Sequence, residues 1–296
     1  MYTLSNILLQ KGIVKGNSEV LTNLEIKELE SLILKYKDDH LKKGEVFQNI
    51  LGVNKRIDNL LEKILTNLEI QNTLLNLLGD NYFLRHISAR YNEPGDKGLA
   101  LHQDSIGEVS LMLLVNDQLD GSTFFLPGTQ LIPSNKHTAE MVSWNSLKLS
   151  WLTNYFLMLC KGKAGTYYYF LNRTWHGRNP GVSKKTKISI FFDFFPVSAK
   201  RKDLASGEFI HDSKVKWSSI TEKNLRKIIS KKNYMIAVEN FEKTNCKTYS
   251  PSMKISDYKS ISKNKLYFSY LILKLIFLEI LFFPINIKRF FKNLIS

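Results

Sequence analysis

The hydrophobic positions of residues 1–80 repeat with the period of an α-helix. The segment 21–43 carries leucine and isoleucine at helical spacing, with Thr22 or Asn23 available as an N-cap. The segment 56–78 repeats this pattern and is followed by Gly79, which suits a left-handed C-cap. The sequence therefore predicts a helical N-terminal region.

From residue 81 onward the pattern changes to short apolar stretches separated by turn residues. Turns are predicted at NEPG (92–95) and NPG (179–181), whereas the stretch 144–160 fits helix and strand equally well. Many short strands with tight turns indicate a sandwich or barrel rather than β-α-β units. The runs 167–170 and 191–195 are rich in aromatic residues and predict strands buried on both faces. The candidate strands are 82–91, 99–104, 108–115, 122–126, 165–171 and 185–195.

The chain becomes polar and helical in character after Pro196. Residues 241–265 are rich in Lys, Ser, Thr and Asn and predict a linker, and the tail 266–296 begins with an almost wholly apolar stretch. Charged residues interrupt that stretch and basic residues flank it, which favours a helix lying on an anionic membrane surface over a full span. The alternative is a helix that packs on the barrel or in a dimer interface. We therefore predict one domain over 1–240 (helical 1–80, barrel 81–197, helical 198–240), a linker and a hydrophobic basic tail.

Composition restricts the class of protein. A chain of 296 residues that is 44% hydrophobic can bury a substantial core. Its two cysteines form no CxxC motif, which argues against a disulfide scaffold or structural zinc and fits a reducing, cytoplasmic compartment. The N-terminus lacks the pattern of a signal peptide. The net charge of +15 suggests an anionic partner, but no nucleic-acid-binding signature accompanies it, so we expect no nucleic acid and, at most, peripheral membrane contact.

Candidate metal ligands occur at the end of a predicted strand. His102 and Asp104 are two positions apart, so both side chains project to one face of the strand. His176 could complete a set of two histidines and one carboxylate, which leaves coordination positions open and suits non-haem Fe(II). The alternative for His102 is a strand-end histidine that caps a turn.

A cation follows at Lys187, after the NPG turn that would return the chain as an antiparallel strand. Placed across the pocket from His176, Lys187 could pair with the distal carboxylate of 2-oxoglutarate, since a buried lysine needs an anionic partner. The alternative is an exposed lysine within the KKTK cluster at 184–187.

Three motifs together resemble the phytanoyl-CoA dioxygenase family. They are LHQD at 101–104, GSTFFLPGT at 121–129 and WHGRNP at 175–180, and the resemblance extends over about residues 81–197. It implies an α+β protein with a double-stranded β-helix, a jelly-roll or cupin-like barrel, flanked by N-terminal helices. It further implies Fe(II), 2-oxoglutarate and O₂, with hydroxylation of a small-molecule, lipid or glycolipid substrate and release of succinate and CO₂.

The resemblance also implies the cosubstrate contacts. Tyr91 falls where family members contact 2-oxoglutarate, although a core tyrosine is an equal alternative. Thr123, Arg178 and Arg85 are further candidates for cofactor binding, and Arg178 could instead form a salt bridge on the rim. Lys187 stands where the family usually has arginine. Lysine keeps the positive charge but lacks the two parallel N–H donors with which a guanidinium binds a carboxylate.

Two details compare this chain with the resembled family. Gln130 follows the PGT motif where the family has histidine. Asp104 is present, whereas related halogenases replace this carboxylate, so the resemblance favours hydroxylation. Two other classes stay open: a cupin-like metalloenzyme that does not use 2-oxoglutarate, and a non-catalytic barrel that only binds a ligand.

Overall fold

The computed structural model describes most of the predicted helical region and barrel. The described residues are 3–40, 46–47, 50–79, 82–96, 98–103, 108–121, 123–131, 139–140, 157–179 and 184–196. The predictions for 198–265, for the tail 266–296 and for most of 144–160 therefore lie outside the described residues.

The N-terminal region is helical, as predicted. Its described helices are α1 (Leu4–Lys11), α2 (Asn23–His40), α3 (Lys55–Leu65) and α4 (Leu68–Leu78). Gly79 follows α4 with a φ of 75°, and its N–H donates to the carbonyl of Leu75. Within the described residues no helix is long and apolar enough to cross a membrane.

The periodic segment 56–78, predicted as one stretch, is divided into two helices at Asn67. This residue has extended backbone angles, and its side-chain oxygen accepts hydrogen bonds from the N–H groups of Glu69 and Ile70. The same oxygen accepts the hydroxyl of Ser18 at 3.2 Å. An asparagine that bonds the first N–H groups of a new helix competes with continuation of the previous one.

We expect Asn67→Ala to lower the free energy of unfolding by about 1 kcal/mol, because the first N–H groups of α4 lose their acceptor. Chemical denaturation measures this loss. Asn76→Ala is the matched control, since Asn76 is an exposed residue inside α4 and alanine favours a helix interior. Equal loss in the two variants would contradict the capping role.

The barrel consists of two antiparallel sheets. The large sheet has the order β1-β9-β5-β11-β3-β2, and the small sheet has the order β7-β4-β10-β6-β8. The described strands are β1 (Ile13–Lys15), β2 (Val46–Phe47), β3 (Tyr82–Asn92), β4 (Leu99–Gln103), β5 (Val109–Leu114), β6 (Thr123–Phe125), β7 (Ala139–Glu140), β8 (Met158–Leu159), β9 (Tyr167–Leu171), β10 (His176–Arg178) and β11 (Lys187–Pro196).

The strand pairing is nested, which identifies the barrel as a jelly roll. Strand β3 pairs with β11, β4 with β10, β5 with β9, and β6 with β8, all antiparallel. Nested pairing of this kind places the first and last strands side by side and closes two sheets around one interior. The predicted double-stranded β-helix agrees with this topology.

The two faces of the large sheet belong to different hydrophobic clusters. The interior cluster combines residues of both sheets, including Phe125 of β6, Phe170 of β9 and Phe191 of β11, and therefore lies inside the barrel. The helix-facing cluster combines the helices with alternate residues of the same strands, including Tyr169 and Phe192. Strands β9 and β11 are thus buried on both faces, as the aromatic runs predicted.

Candidate functional site

His176 begins strand β10 of the small sheet and faces the barrel interior. Its side chain is buried, with 7% exposure. The ring stacks on Phe125, with centroids 5.3 Å apart and planes at 23°, and lies 5.8 Å from the ring of Phe170. Both phenylalanines belong to the interior cluster.

The tautomer of His176 follows from its hydrogen bond. Nδ1 lies 2.8 Å from the backbone carbonyl oxygen of Thr174, and a carbonyl can only accept, so Nδ1 carries the proton. A neutral imidazole that donates from Nδ1 presents the lone pair of Nε2. Metal-binding histidines commonly have this arrangement, because the second hydrogen bond sets the ring orientation.

A network of hydrogen bonds holds the loop before His176. The hydroxyl of Thr174 donates to the carbonyl of Gly12 at 2.9 Å, and the N–H of Trp175 donates to the hydroxyl of Thr129 at 2.8 Å. The side chain of Gln130 donates to the carbonyls of Leu9 and Gln10, both at 2.9 Å, at the end of α1. Gln130, which departs from the resembled family, therefore joins the end of α1 to the turn at 129–131, whose Thr129 contacts Trp175.

His102 is the direct cross-strand partner of His176. Strands β4 and β10 pair antiparallel with these two residues in register, and the register shifts between His176 and Arg178. Cβ atoms of directly opposed residues lie about 4.5–5.5 Å apart, close enough for two ligands of one metal. Asp104 and the side chain of His102 lie outside what the structure describes, and no metal-binding group of three side chains occurs within it.

Thr123 and Arg178 lie beside His176 on the small sheet. Thr123 is the cross-strand partner of Arg178, just as Phe125 is the partner of His176. Because side chains alternate faces, these four residues share the interior face. Arg178 donates to the carbonyl of Tyr91 at 3.1 Å and lies 3.9 Å from Asp96, so it joins β10 to the end of β3.

Lys187 begins β11 in the large sheet and is buried, with 5% exposure, so the alternative of an exposed lysine is wrong. Its Nζ lies 2.7 Å from the carboxylate of Asp120 and donates to the carbonyl of Gly121 at 3.0 Å. Burial raises the pKa of Asp120, but the hydrogen bond and charge of Lys187 outweigh it, so the net shift is downward. The buried cation is thus paired with a carboxylate of the same chain whose own side chain is 55% exposed.

Tyr91 belongs to the helix-facing cluster, together with Ile87 and Ala89 of the same strand. Its ring is covered by the ammonium of Lys37, 4.9 Å from the ring centroid. Tyr91 is thus a buried tyrosine on the helix-facing side of the large sheet, as the stated alternative describes, and its contact with 2-oxoglutarate stays a prediction.

Arg85 lies where the pairing of β3 with β11 becomes irregular. His86 is opposite Asp193 and Leu84 is opposite Phe194, which leaves Arg85 without a cross-strand partner on β11. The side chain of Arg85 lies outside the described residues. Its role stays a prediction, and the irregularity interrupts at this residue the alternation of side chains between the two faces of β3.

Polar residues that the sequence analysis did not select occupy the inward positions of β3. Ser88, Arg90 and Asn92 alternate with Ile87, Ala89 and Tyr91, which face the helices. The guanidinium of Arg90 lies 4.7 Å from the centroid of Phe191, an interior residue. In the sequence, the alternation of polar and apolar residues within 82–92 was the signal that could have identified these three residues. Only the structure shows that the polar face of β3 lines the barrel interior.

Comparison with solved structures finds proteins that share this fold. No protein-family model matches the chain, and no curated protein matches its sequence. The structure of EctD from S. alaskensis with 2-oxoglutarate and 5-hydroxyectoine has a TM-score of 0.52 and 14% identity, covering 67% of this chain and 77% of that chain. The epimerase SnoN, in complex with Fe3+, alpha ketoglutarate and nogalamycin RO, has a TM-score of 0.52 and 14% identity, covering 66% and 83%. At this identity the likeness establishes a shared fold.

Proposed function

We propose that this protein is an Fe(II)- and 2-oxoglutarate-dependent oxygenase that holds iron with His102, Asp104 and His176. The geometry of His176 carries the proposal. The ring of His176 is buried in the barrel and is oriented by the Thr174 carbonyl. In the pairing of β10 with β4, His176 lies directly opposite His102. Two histidines and one carboxylate form the donor set of non-haem Fe(II) oxygenases, and His176 has the tautomer that a metal ligand requires.

The fold supports the same proposal. EctD has been crystallised with bound Fe and with 2-oxoglutarate, and SnoN with Fe3+ and alpha ketoglutarate. SnoN is described as an epimerase, so the fold accommodates more than one outcome. We propose hydroxylation for two reasons. Asp104 supplies the carboxylate of the proposed triad, and the three sequence motifs resemble those of phytanoyl-CoA dioxygenases.

The residues of this chain would prepare the site for that chemistry. Bound Fe(II) would activate O₂ together with the conversion of 2-oxoglutarate to succinate and CO₂. Phe125 and Phe170 shield one side of the His176 ring from water, and the Thr174 carbonyl keeps the Nδ1 proton in place. Thr123 and Arg178 lie one inward position further along the same sheet and would line the pocket.

Lys187 stays the residue predicted to bind the distal carboxylate of 2-oxoglutarate. Its burial supports the role, whereas its ion pair with Asp120 favours the second candidate, a cupin-like metalloenzyme that does not use 2-oxoglutarate. A small-molecule or lipid-linked substrate, a cytoplasmic location and membrane contact through 266–296 also belong to the proposal.

We expect anaerobic protein to bind Fe(II) and then 2-oxoglutarate, and to release succinate when O₂ is admitted. Chelation of Fe(II) by a 2-oxo acid produces a visible charge-transfer absorption, so binding can be titrated without the substrate. Succinate is then quantified against a sample without iron. Folded, iron-loaded protein that fails to bind 2-oxoglutarate would contradict the proposal and favour the cupin-like enzyme.

A further inference from the structure

The C-terminal end of helix α1, defined here as residues 9–12, lies against the two turns beside His176. The last carbonyls of a helix have no partner inside the helix and must be satisfied from outside it. At this end the carbonyls of residues 9 and 10 accept hydrogen bonds from the Gln130 side chain. The carbonyl of Lys11 accepts one from the N–H of Gly128 at 2.9 Å. The α1 end is thus joined to the turn that follows β6.

The carbonyl of Gly12 bonds to the second turn, residues 171–175, which leads into β10. It accepts hydrogen bonds from the N–H of Leu171 at 3.0 Å and from the hydroxyl of Thr174 at 2.9 Å. A carbonyl oxygen has two lone pairs, so both are used. All four carbonyls of the α1 end are therefore bonded to the turns on either side of the candidate ligand His176.

Thr174 connects the α1 end to His176. This threonine is fully buried, and its N–H donates to the carbonyl of Leu171 at 2.7 Å. Its hydroxyl donates to Gly12, and its own carbonyl accepts from Nδ1 of His176 at 2.8 Å. Because the N–H and the hydroxyl fix the orientation of Thr174, they also fix the direction of the carbonyl that the imidazole meets.

Gly12 allows α1 to approach Thr174 closely. It is the C-cap of α1 with a φ of 75°, and a Cβ there would lie 2.2 Å from Thr174 Oγ1 and 2.5 Å from Gln130 Oε1. Gly79 is the C-cap of α4 with the same φ, but a Cβ there would meet nothing within 4 Å. The close fit at Gly12 therefore belongs to the contact with Thr174, not to the ending of a helix.

We infer that Thr174 is a positioning residue of the candidate iron site, and that the α1 end holds it through the carbonyl of Gly12. The inference rests on the proposed function, in which His176 binds iron. Thr174 acts through His176 and does not touch the metal. Its carbonyl keeps the proton on Nδ1, which leaves Nε2 as the donor to the metal. Without the bond to Gly12, the carbonyl is less firmly directed at the ring and the second tautomer gains population.

The first measurement follows the tautomer of His176 in metal-free protein, at a pH where the ring is neutral. Nitrogen NMR resonances of an imidazole distinguish a proton on Nδ1 from one on Nε2, and His176→Gln identifies the resonances of this ring. We expect the Nδ1–H form to predominate in the wild type. Thr174→Val keeps the branched shape but loses the hydroxyl, and should shift the tautomer ratio toward Nε2–H by about 2- to 10-fold. Thr174→Ser restores the hydroxyl and should match the wild type.

The second measurement is metal affinity, with Co(II) alone as the probe because its visible absorption reports binding directly. Hydrogen-bond partners of metal-bound histidines typically contribute 10- to 100-fold to affinity. Thr174→Val leaves the carbonyl in place but less well held, so we expect Co(II) binding to weaken by about 10-fold. Thr174→Ser should bind Co(II) as the wild type does. Gly12→Ala should weaken binding at least as much as Thr174→Val, since the added Cβ displaces the Thr174 side chain.

Two matched controls separate positioning from a general loss of stability. Thr66→Val also removes a hydroxyl that donates to a backbone carbonyl, that of Glu62 at 2.9 Å, at the end of α3. Gly79→Ala adds a Cβ at a helix C-cap that has no close neighbour. Both should lower the midpoint of thermal unfolding and leave the His176 tautomer and Co(II) affinity unchanged. Equal loss of Co(II) affinity in Thr66→Val and Thr174→Val would overturn the inference.

Failure of the inference and failure of the proposed function give different results. If the wild type has the Nδ1–H tautomer but binds neither Co(II) nor Fe(II), the proposed function fails and the inference fails with it. If the wild type binds Co(II) and folded Thr174→Val has the same tautomer ratio and affinity, only the inference fails. Should Thr174→Val not fold, Gly12→Ala carries the comparison, and wild-type Co(II) affinity in that variant counts against the inference.

Discussion

Replacing His176 with alanine is expected to abolish stoichiometric Fe(II) binding and succinate formation. Removing the hydrogen-bond partner of a metal-bound histidine typically costs 10- to 100-fold in affinity. Removing the ligand itself should cost more, on the order of 1000-fold. The measurements are iron content after anaerobic loading and desalting, and succinate released per chain.

The cavity left by His176→Ala requires its own control. The ring packs against Phe125 and Phe170, so its loss should also lower stability. His176→Gln fills more of the space and separates unfolding from ligand loss. His211→Ala, at a histidine without a carboxylate at ligand spacing in the sequence, should retain iron binding. A folded His176→Gln protein with wild-type iron content and turnover would refute the role of His176.

Gly177→Ala is expected to damage the site without removing any proposed ligand. A Cβ at Gly177 would lie 2.6 Å from the ring of Phe124 and 2.8 Å from the backbone carbonyl oxygen of Leu99. Leu99 belongs to β4, the strand that carries His102, so β10 and β4 would have to separate. We expect a stability loss of about 1–3 kcal/mol from overpacking and roughly 10- to 100-fold weaker iron binding.

Two variants isolate the cause of this effect. Gly177→Ala with Phe124→Leu removes the ring contact but leaves the Leu99 carbonyl, so stability should recover in part while iron binding stays weak. Gly162→Ala also creates a close contact, with the Thr166 side chain, but away from β10. It should lower stability without weakening iron binding. Equal iron affinity in Gly177→Ala and wild type would show that the spacing of β4 and β10 is not critical.

The large sheet and the helical region could be predicted because their signals are local. Apolar periodicity identified the helices, and short apolar runs bounded by turns identified β3, β5, β9 and β11. The break at Asn67 was missed because asparagine is tolerated inside a helical pattern. Its capping role depends on backbone angles that a periodic pattern does not specify.

The pocket was harder to predict because both faces of the large sheet are buried. Period two assigns Tyr91 and Arg90 to opposite faces, but it does not say which face lines the barrel. Helices cover one face, so Tyr91 packs there and Arg90 points inward. The pairing of Lys187 with Asp120 could not be predicted either, since these residues are distant in sequence and are brought together by barrel closure.

The sequence by itself determined the elements, the order of the candidate ligands and the chemical character of their side chains. These properties depend on neighbours a few positions away. Only the tertiary structure decided that His102 lies opposite His176, that Thr123 and Arg178 lie beside them, and that Ser88, Arg90 and Asn92 of β3 face the interior. Those relations depend on nested strand pairing and on the face that the helices cover, and both are set by burial of the whole chain's apolar surface.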